Sequence, residues 1–204
     1  MIDLNTLLQQ SAALHQHLCP RQVLGVRMGL LAGLELGLTL PQRDKRLLTI
    51  VETDGCFADG IAVATGCTVG HRTLRVEDYG KIAATFVDTQ TGHTLRLVPR
   101  SDARTLAQAY AHEARNRWEE QLLGYQRLPA DDLFIIQDVQ LATPLAVIVS
   151  RAGLKTVCET CGEEIINGRE IVRDGHVWCR ACLGEAYYAH SSVLLPSLAV
   201  PIGV

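Results

Sequence analysis

A chain of 204 residues with 48% hydrophobic content and a formal net charge of −3 is long enough for one good-sized domain plus a small appendage. Its mixed acids and bases leave no basic stripe, so nucleic acid is not the expected partner. The most apolar window, Met28 to Leu38, is interrupted by Glu35 and is too short to span a bilayer, so no membrane association is expected. The start of the chain carries Asp3 and amphipathic spacing in place of a basic region and an apolar block, which makes the cytoplasm the expected compartment. Seven cysteines in a reducing compartment read as metal ligands or reactive thiols rather than bridges.

Leu4, Leu7, Leu8, Leu14 and Leu18 recur at helical spacing, predicting a helix from Asp3 to His17. Pro20 stops it and opens a second helix to about Leu38, placing Cys19 in the connector. Gly25, Gly29, Gly33 and Gly37 fall on one face of that second helix. Each glycine costs a helix about 1 kcal/mol relative to alanine, so another backbone is expected close against this face. A buried strand over Leu47 to Glu52 leads through a turn to a short helix from Cys56 to Gly66, with Cys67 just beyond it. Strands follow at Arg72 to Val76, Lys81 to Asp88 and His93 to Val98, the last two joined as a hairpin at Gln90-Thr91-Gly92. The pattern then predicts one long helix from Ser101 to Leu123 ended by Gly124, a further helix over Asp131 to Val139, and an apolar strand or linker over Pro144 to Val149. Arg151 to Thr156 is the expected boundary. The organisation is therefore a core domain over 1–150, a small cysteine-rich domain over 157–190, and an apolar tail over 191–204 expected to dock on the core or on the surface of a second copy.

Cys158, Cys161, Cys179 and Cys182 form a C-x2-C-x17-C-x2-C array, which fits a tetrahedral all-thiolate zinc site. Between the pairs, Arg169 to Val172, the Asp174-Gly175 turn and His176 to Cys179 read as a hairpin, and Cys182 opens a helix. Together these make a treble-clef finger. Disulfides or packed thiols are the alternatives, and the absence of a signal-peptide pattern argues against bridges. Four protein ligands leave no open position, so the zinc is read as structural. A segment of about 30 residues buries too little apolar surface to fold unaided, and metal binding would supply folding energy on the order of 10 kcal/mol.

A second constellation lies in the core domain: His15-x-His17-x-Cys19-Pro20, Glu52-x3-Cys56-x2-Asp59, Thr65-Gly66-Cys67-Thr68 and Gly80-Lys81. Singly each is weak, since an apolar histidine or cysteine is usually packed core. Together they place two histidines and three cysteines at turns and helix ends, where separate segments can converge. These segments, with Gly25-x-Arg27-Met28, resemble the formylmethanofuran dehydrogenase E-subunit family and its bacterial relatives over nearly the whole chain. The resemblance implies an α+β core with helices packed on a mostly antiparallel sheet, an appended treble-clef zinc finger, and a homodimer. Departures are Gln16 between the two histidines, Arg21 after Cys-Pro, and Ala62 where relatives tend to carry glutamine.

From these residues the preferred expectation is an open transition-metal site in the core, with Cys56 and Cys67 as soft ligands and His17 and Cys19 nearby. Cys56, near a helix N-terminus, is expected to have a lowered pKa. Asp59 and Lys81 would support it, one accepting from a histidine N–H and the other balancing charge, and His15 would be ligand or partner. The resemblance then implies an accessory or metal-handling role beside a molybdenum or tungsten oxidoreductase. The alternatives are an enzyme in which Cys56 is a nucleophile or redox thiol activated by His15 or His17 with Asp59 orienting, and an interaction or regulatory protein acting through the finger. The plain reading, that these side chains are only packed or capping, stays open.

Overall fold

The computed structural model describes residues 3–149 and 151–189, and the apolar tail expected over 191–204 lies outside the described residues. The chain divides into two compact units, Met1–Ile148 and Val149–Val204.

In the first unit the Asp3 carboxylate caps α1 (Leu4–His15), accepting from the Thr6 N–H at 3.0 Å. Gln16 takes a left-handed φ of 64° and ends the helix. Cys19 is extended, and Pro20 occupies the first turn of α2 (Pro20–Glu35), where its missing N–H costs nothing. The Cys19 N–H donates to Gln22 Oε1 at 2.8 Å, and Gln22 Nε2 donates back to the Ser11 carbonyl at 2.9 Å. One buried glutamine thus pins the start of α2 to α1.

β1 (Leu47–Val51) leads to α3 (Cys56–Thr65), then β2 (Leu74–Val76), β3 (Ala84–Asp88) and β4 (Thr94–Pro99). After α4 (Ala103–Ala109), α5 (Arg117–Arg127) and α6 (Ala130–Leu133) comes the edge strand β5 (Phe134–Asp138). The sheet order is β2-β1-β3-β4-β5, with β1 and β2 parallel and the other pairs antiparallel. Helices meet the sheet through a core that includes Leu7, Val23, Met28, Phe57, Ile61, Phe86 and Leu97. Burying each such side chain favours folding by about 1.5–3 kcal/mol.

α2 and α3 pack with their backbones in contact. A Cβ on Gly25 would strike the Phe57 carbonyl and lie 2.9 Å from Ile61 N, and one on Gly29 would lie 2.7 Å from Ala64 Cβ. The neighbour expected against the glycine face is therefore α3. The match runs Gly25 to Phe57–Ile61 and Gly29 to Ala64–Thr65, so the helices lie parallel and their N-termini sit side by side.

Several expected elements differ. α2 stops at Glu35 because Gly37 turns left-handed at φ 65°. The single helix expected over Ser101 to Leu123 is two, since Asn116 caps a new start by accepting from the Glu119 N–H at 3.0 Å. Gly124, expected as a terminator, lies inside α5, where a Cβ would meet Ala107 of α4. The Asp131 to Val139 segment is one helical turn followed by a strand, because Phe134, Ile135 and Ile136 find β4 as a hydrogen-bonding partner. Pro144 to Val149 holds a short helix, α7 (Leu145–Ile148), in place of a strand or linker.

In the second unit β6 (Lys155–Val157) pairs with β7 (Glu164–Ile166), and β8 (Ile171–Arg173) with β9 (His176–Trp178). The β8–β9 turn uses Asp174 at φ 52° and Gly175 at φ 79°, the pattern of a two-residue hairpin loop. The helix expected from Cys182 is only a short turn, Ala181–Glu185, broken where Gly184 reaches φ 92°.

Candidate metal and thiol sites

In the second unit the ligand atoms of Cys158, Cys161, Cys179 and Cys182 all lie within 4.8 Å of one another, and Cys161 and Cys179 Sγ are 4.0 Å apart. Cys158 is fully buried and sits where its sulfur accepts the Cys179 N–H at 3.3 Å, while Cys179 Sγ accepts the Cys182 N–H at 3.4 Å. Backbone N–H groups, that of Cys161 first, pull the Cys158 thiol down to about 6, and the neighbouring sulfurs, Cys179 first, push Cys182 up to about 12. Four thiolates this close repel one another unless a cation sits among them, so the donor set and its spacing fit a metal ion such as zinc. Among the described residues this is the one place where three or more such ligand atoms converge to that distance.

In the first unit α1 packs on α3 so that His15, in the last turn of α1, lies over the first turn of α3. Its Nε2 is 3.1 Å from Cys56 Sγ and its Nδ1 is 3.2 Å from Asp59 Oδ2. Cys56 and Asp59, three apart, share one face of α3 and hold the imidazole between them. The His17 ring lies beside His15, centroid to centroid 4.9 Å. Cys19 is buried at the neighbouring start of α2, and its thiol is close enough to Cys56 to hydrogen-bond it. Burial first, and then that thiol, raise the Cys56 pKa above its ordinary value, the reverse of the direction expected from the helix N-terminus.

Cys67 does not join this group. It follows the far end of α3, roughly 15 Å away along the helix, with its sulfur donating to the Leu47 carbonyl at 3.4 Å and accepting from Thr49 Oγ1 at 3.5 Å. Burial holds its thiol protonated. The Thr65 to Thr68 loop is a helix end: Thr65 Oγ1 accepts the Cys67 N–H at 3.1 Å, and Gly66, at φ 75°, fits tightly over Gln42.

Lys81 is held near the thiols because its N–H and that of Tyr79 both donate to the Glu52 carbonyl, at 3.1 and 3.0 Å. The Glu52 side chain is itself locked to Arg96 at 2.5 and 2.8 Å, which leaves it structural rather than part of the site. Cys19, Cys56 and Lys81 line one cleft of about 690 Å3. Its other wall includes Arg100, Arg104, Trp118 and Tyr125, none of which stood out in the sequence; only the four-residue spacing of the two arginines offered a signal.

The profile of the family described as "FmdE, Molybdenum formylmethanofuran dehydrogenase operon" matches residues 14–135, more than half of the chain. The chain belongs to the FmdE family. The match spans His15, His17, Cys19, Cys56, Asp59 and Lys81 and stops before the four-cysteine unit. An FmdE-like protein of tungsten formylmethanofuran dehydrogenase type from Syntrophus aciditrophicus has a similar fold, with a TM-score of 0.57 at 18% identity, covering 92% of this chain and 96% of that one. A relative from Archaeoglobus fulgidus described as a "Probable S-adenosyl-L-methionine-binding protein" is 31% identical over 210 residues, covering 91% of this FmdE-family chain. The chain spans 54% of that relative's length. Among the described residues no helix is long and apolar enough to cross a membrane.

Proposed function

We propose that this FmdE-family protein handles a transition metal or metal cofactor through an open site in its first unit, with Cys56 and His15 as ligands and Cys19 and His17 within reach. The observation that carries the reading is the seat of His15 between Cys56 at 3.1 Å and Asp59 at 3.2 Å. A ligating imidazole characteristically gives its second ring N–H to a carboxylate, which fixes the tautomer and raises basicity. A soft thiolate and imidazole donor set suits zinc and its neighbours in the first transition series. The metal would supply a Lewis-acid centre or a transferable cargo, while Asp59 orients His15 and Lys81 offsets thiolate charge. Cys67, expected as a ligand, is left out of this assignment.

The second unit is a treble-clef finger whose Cys158, Cys161, Cys179 and Cys182 hold a structural zinc. A Zn–S distance of about 2.3 Å gives tetrahedral edges of roughly 3.8 Å, close to the 4.0 Å between Cys161 and Cys179. The family description supports an accessory role beside a molybdenum or tungsten oxidoreductase, in the cytoplasm and as a homodimer. Metal analysis of gently purified protein tests this. Two equivalents per chain, one removed by a mild chelator and absent from Cys56→Ser, support the open site, whereas an unchanged stoichiometry in Cys56→Ser overturns the ligand assignment.

The same Cys56–His15–Asp59 chain favours a second reading, a stand-alone enzyme in which His15 activates the Cys56 thiol and Asp59 orients the ring. That reading predicts one metal per chain and a Cys56 alkylation rate that falls in His15→Gln.

A further inference from the structure

The cleft that opens beside Cys19 and Cys56 has a lining of one sign. Arg21, Lys81, Arg100 and Arg104 line its 690 Å3, and no aspartate or glutamate does. In a chain whose formal net charge is −3, this is a local reversal. Arg100 shares its charge with Asp102 at 3.1 Å, but Arg21, Lys81 and Arg104 make no ion pair among the described residues. Arg104 faces the Tyr125 hydroxyl, and Lys81 sits 5.9 Å from the Tyr79 ring centroid. Neither contact neutralises a cation.

Like charges gathered in a concave wall repel one another and focus a positive potential into the cavity, which an anion relieves. Guanidinium groups are suited to phosphate because their N–H forks match its oxygens. The remaining lining is apolar or aromatic, and Trp118 presents an indole that is half exposed, a platform for a planar ring. The volume falls in the range of about 300–1,000 Å3 typical of small-molecule sites. We propose that this cleft binds a small organic phosphate carrying a planar ring, its anionic groups on Arg21, Arg100 and Arg104 and its ring against Trp118, with the Cys19 and Cys56 thiols at its edge. The ligand class follows from the charge and shape of the wall and does not depend on whether His15 and Cys56 hold a metal.

The test is calorimetric titration of the full chain with ADP, pyrophosphate, adenosine and S-adenosylmethionine. ADP is expected to bind at micromolar to sub-millimolar concentration and pyrophosphate about tenfold more weakly, while adenosine and the sulfonium-bearing compound fail to saturate. Arg21→Gln and Arg104→Gln should each weaken ADP at least about fivefold, and ADP should quench tryptophan fluorescence in the wild type but not in Trp118→Phe. Arg115→Gln, which changes an exposed arginine paired with Glu119 away from the cleft, should bind as the wild type does. Cys56→Ser should also retain ADP binding within about twofold, which separates this proposal from the metal reading. Absence of ADP binding, binding of S-adenosylmethionine as tight as that of ADP, an equal loss in Arg115→Gln, or loss of ADP binding in Cys56→Ser would each overturn it.

Discussion

Gly25 of α2 and Gly60 of α3 meet backbone to backbone: a Cβ on the first would strike the Phe57 carbonyl, and one on the second would strike the Gln22 carbonyl and come 3.0 Å from Val26 N. Because the two helices run parallel from this contact, their first residues emerge together, bringing Cys19 and Cys56 into one cleft. Tight packing here is thus a condition for the site.

Gly25→Ala and Gly60→Ala should each destabilise the first unit by about 1–3 kcal/mol, because the obstacles are main-chain atoms that cannot rotate away. Gly70→Ala meets nothing within 4 Å and has an ordinary backbone, so it should stay within about 0.5 kcal/mol of wild type. Urea denaturation of the three variants, compared at constant m-value, measures this.

Asp59 touches the site only through His15. Asp59→Asn should therefore weaken metal retention in the first unit about 10- to 100-fold while the second unit keeps its metal. Chelator competition read by mass spectrometry of the intact chain separates the two equivalents.

Asp88, buried at the end of β3, accepts two bonds from Arg46, at 3.0 and 2.8 Å, and the guanidinium holds its carboxyl far below the usual range. A depressed folded-state pKa contributes stability that is full above the unfolded value of about 3.9 and is lost as pH falls toward the folded value. Asp88→Asn should cost about 1.5–3 kcal/mol at pH 7, and its deficit against wild type should shrink as the pH drops below about 4. Thermal melts at both pH values check the sign.

In the second unit hydrogen-bonded strands are only three residues long, and few of its side chains are buried, Cys158 and Ile165 among them. Strong chelation at pH 7, or Cys158→Ser, should unfold this unit while the first keeps its cooperative transition, as separate amide-exchange protection for residues below 148 and above 151 would record. Acid should release the metal too, since protons compete for the four thiolates.

Much of the fold was legible in local chemistry. The helix starts at Pro20 and Cys56 follow from it, and the glycine ladder required a close neighbour; only its identity, α3, needed tertiary structure. The cysteine array spoke for itself because ligand spacing is a local property. The errors fell where partners decide: Asn116 acting as a cap broke the long helix, and β4 drew Phe134–Asp138 into the sheet. Cys67 looked equivalent to Cys56 because sequence does not reveal that ten helical residues carry it to the opposite end of α3. Arg27, marked by the family pattern, proves to pin α2 to α5 by donating to the Tyr125 and Leu128 carbonyls at 2.6 and 2.5 Å. The cationic wall of the cleft was hidden because Arg21, Lys81 and Arg100 come from three distant segments.

An anomalous-scattering map of crystals grown without chelator addresses the open site most directly. Two peaks are predicted, one enclosed by Cys158, Cys161, Cys179 and Cys182 and one contacting Cys56 Sγ and His15. A lone peak at the four cysteines, with His15 still resting on an unmetallated Cys56, would contradict it.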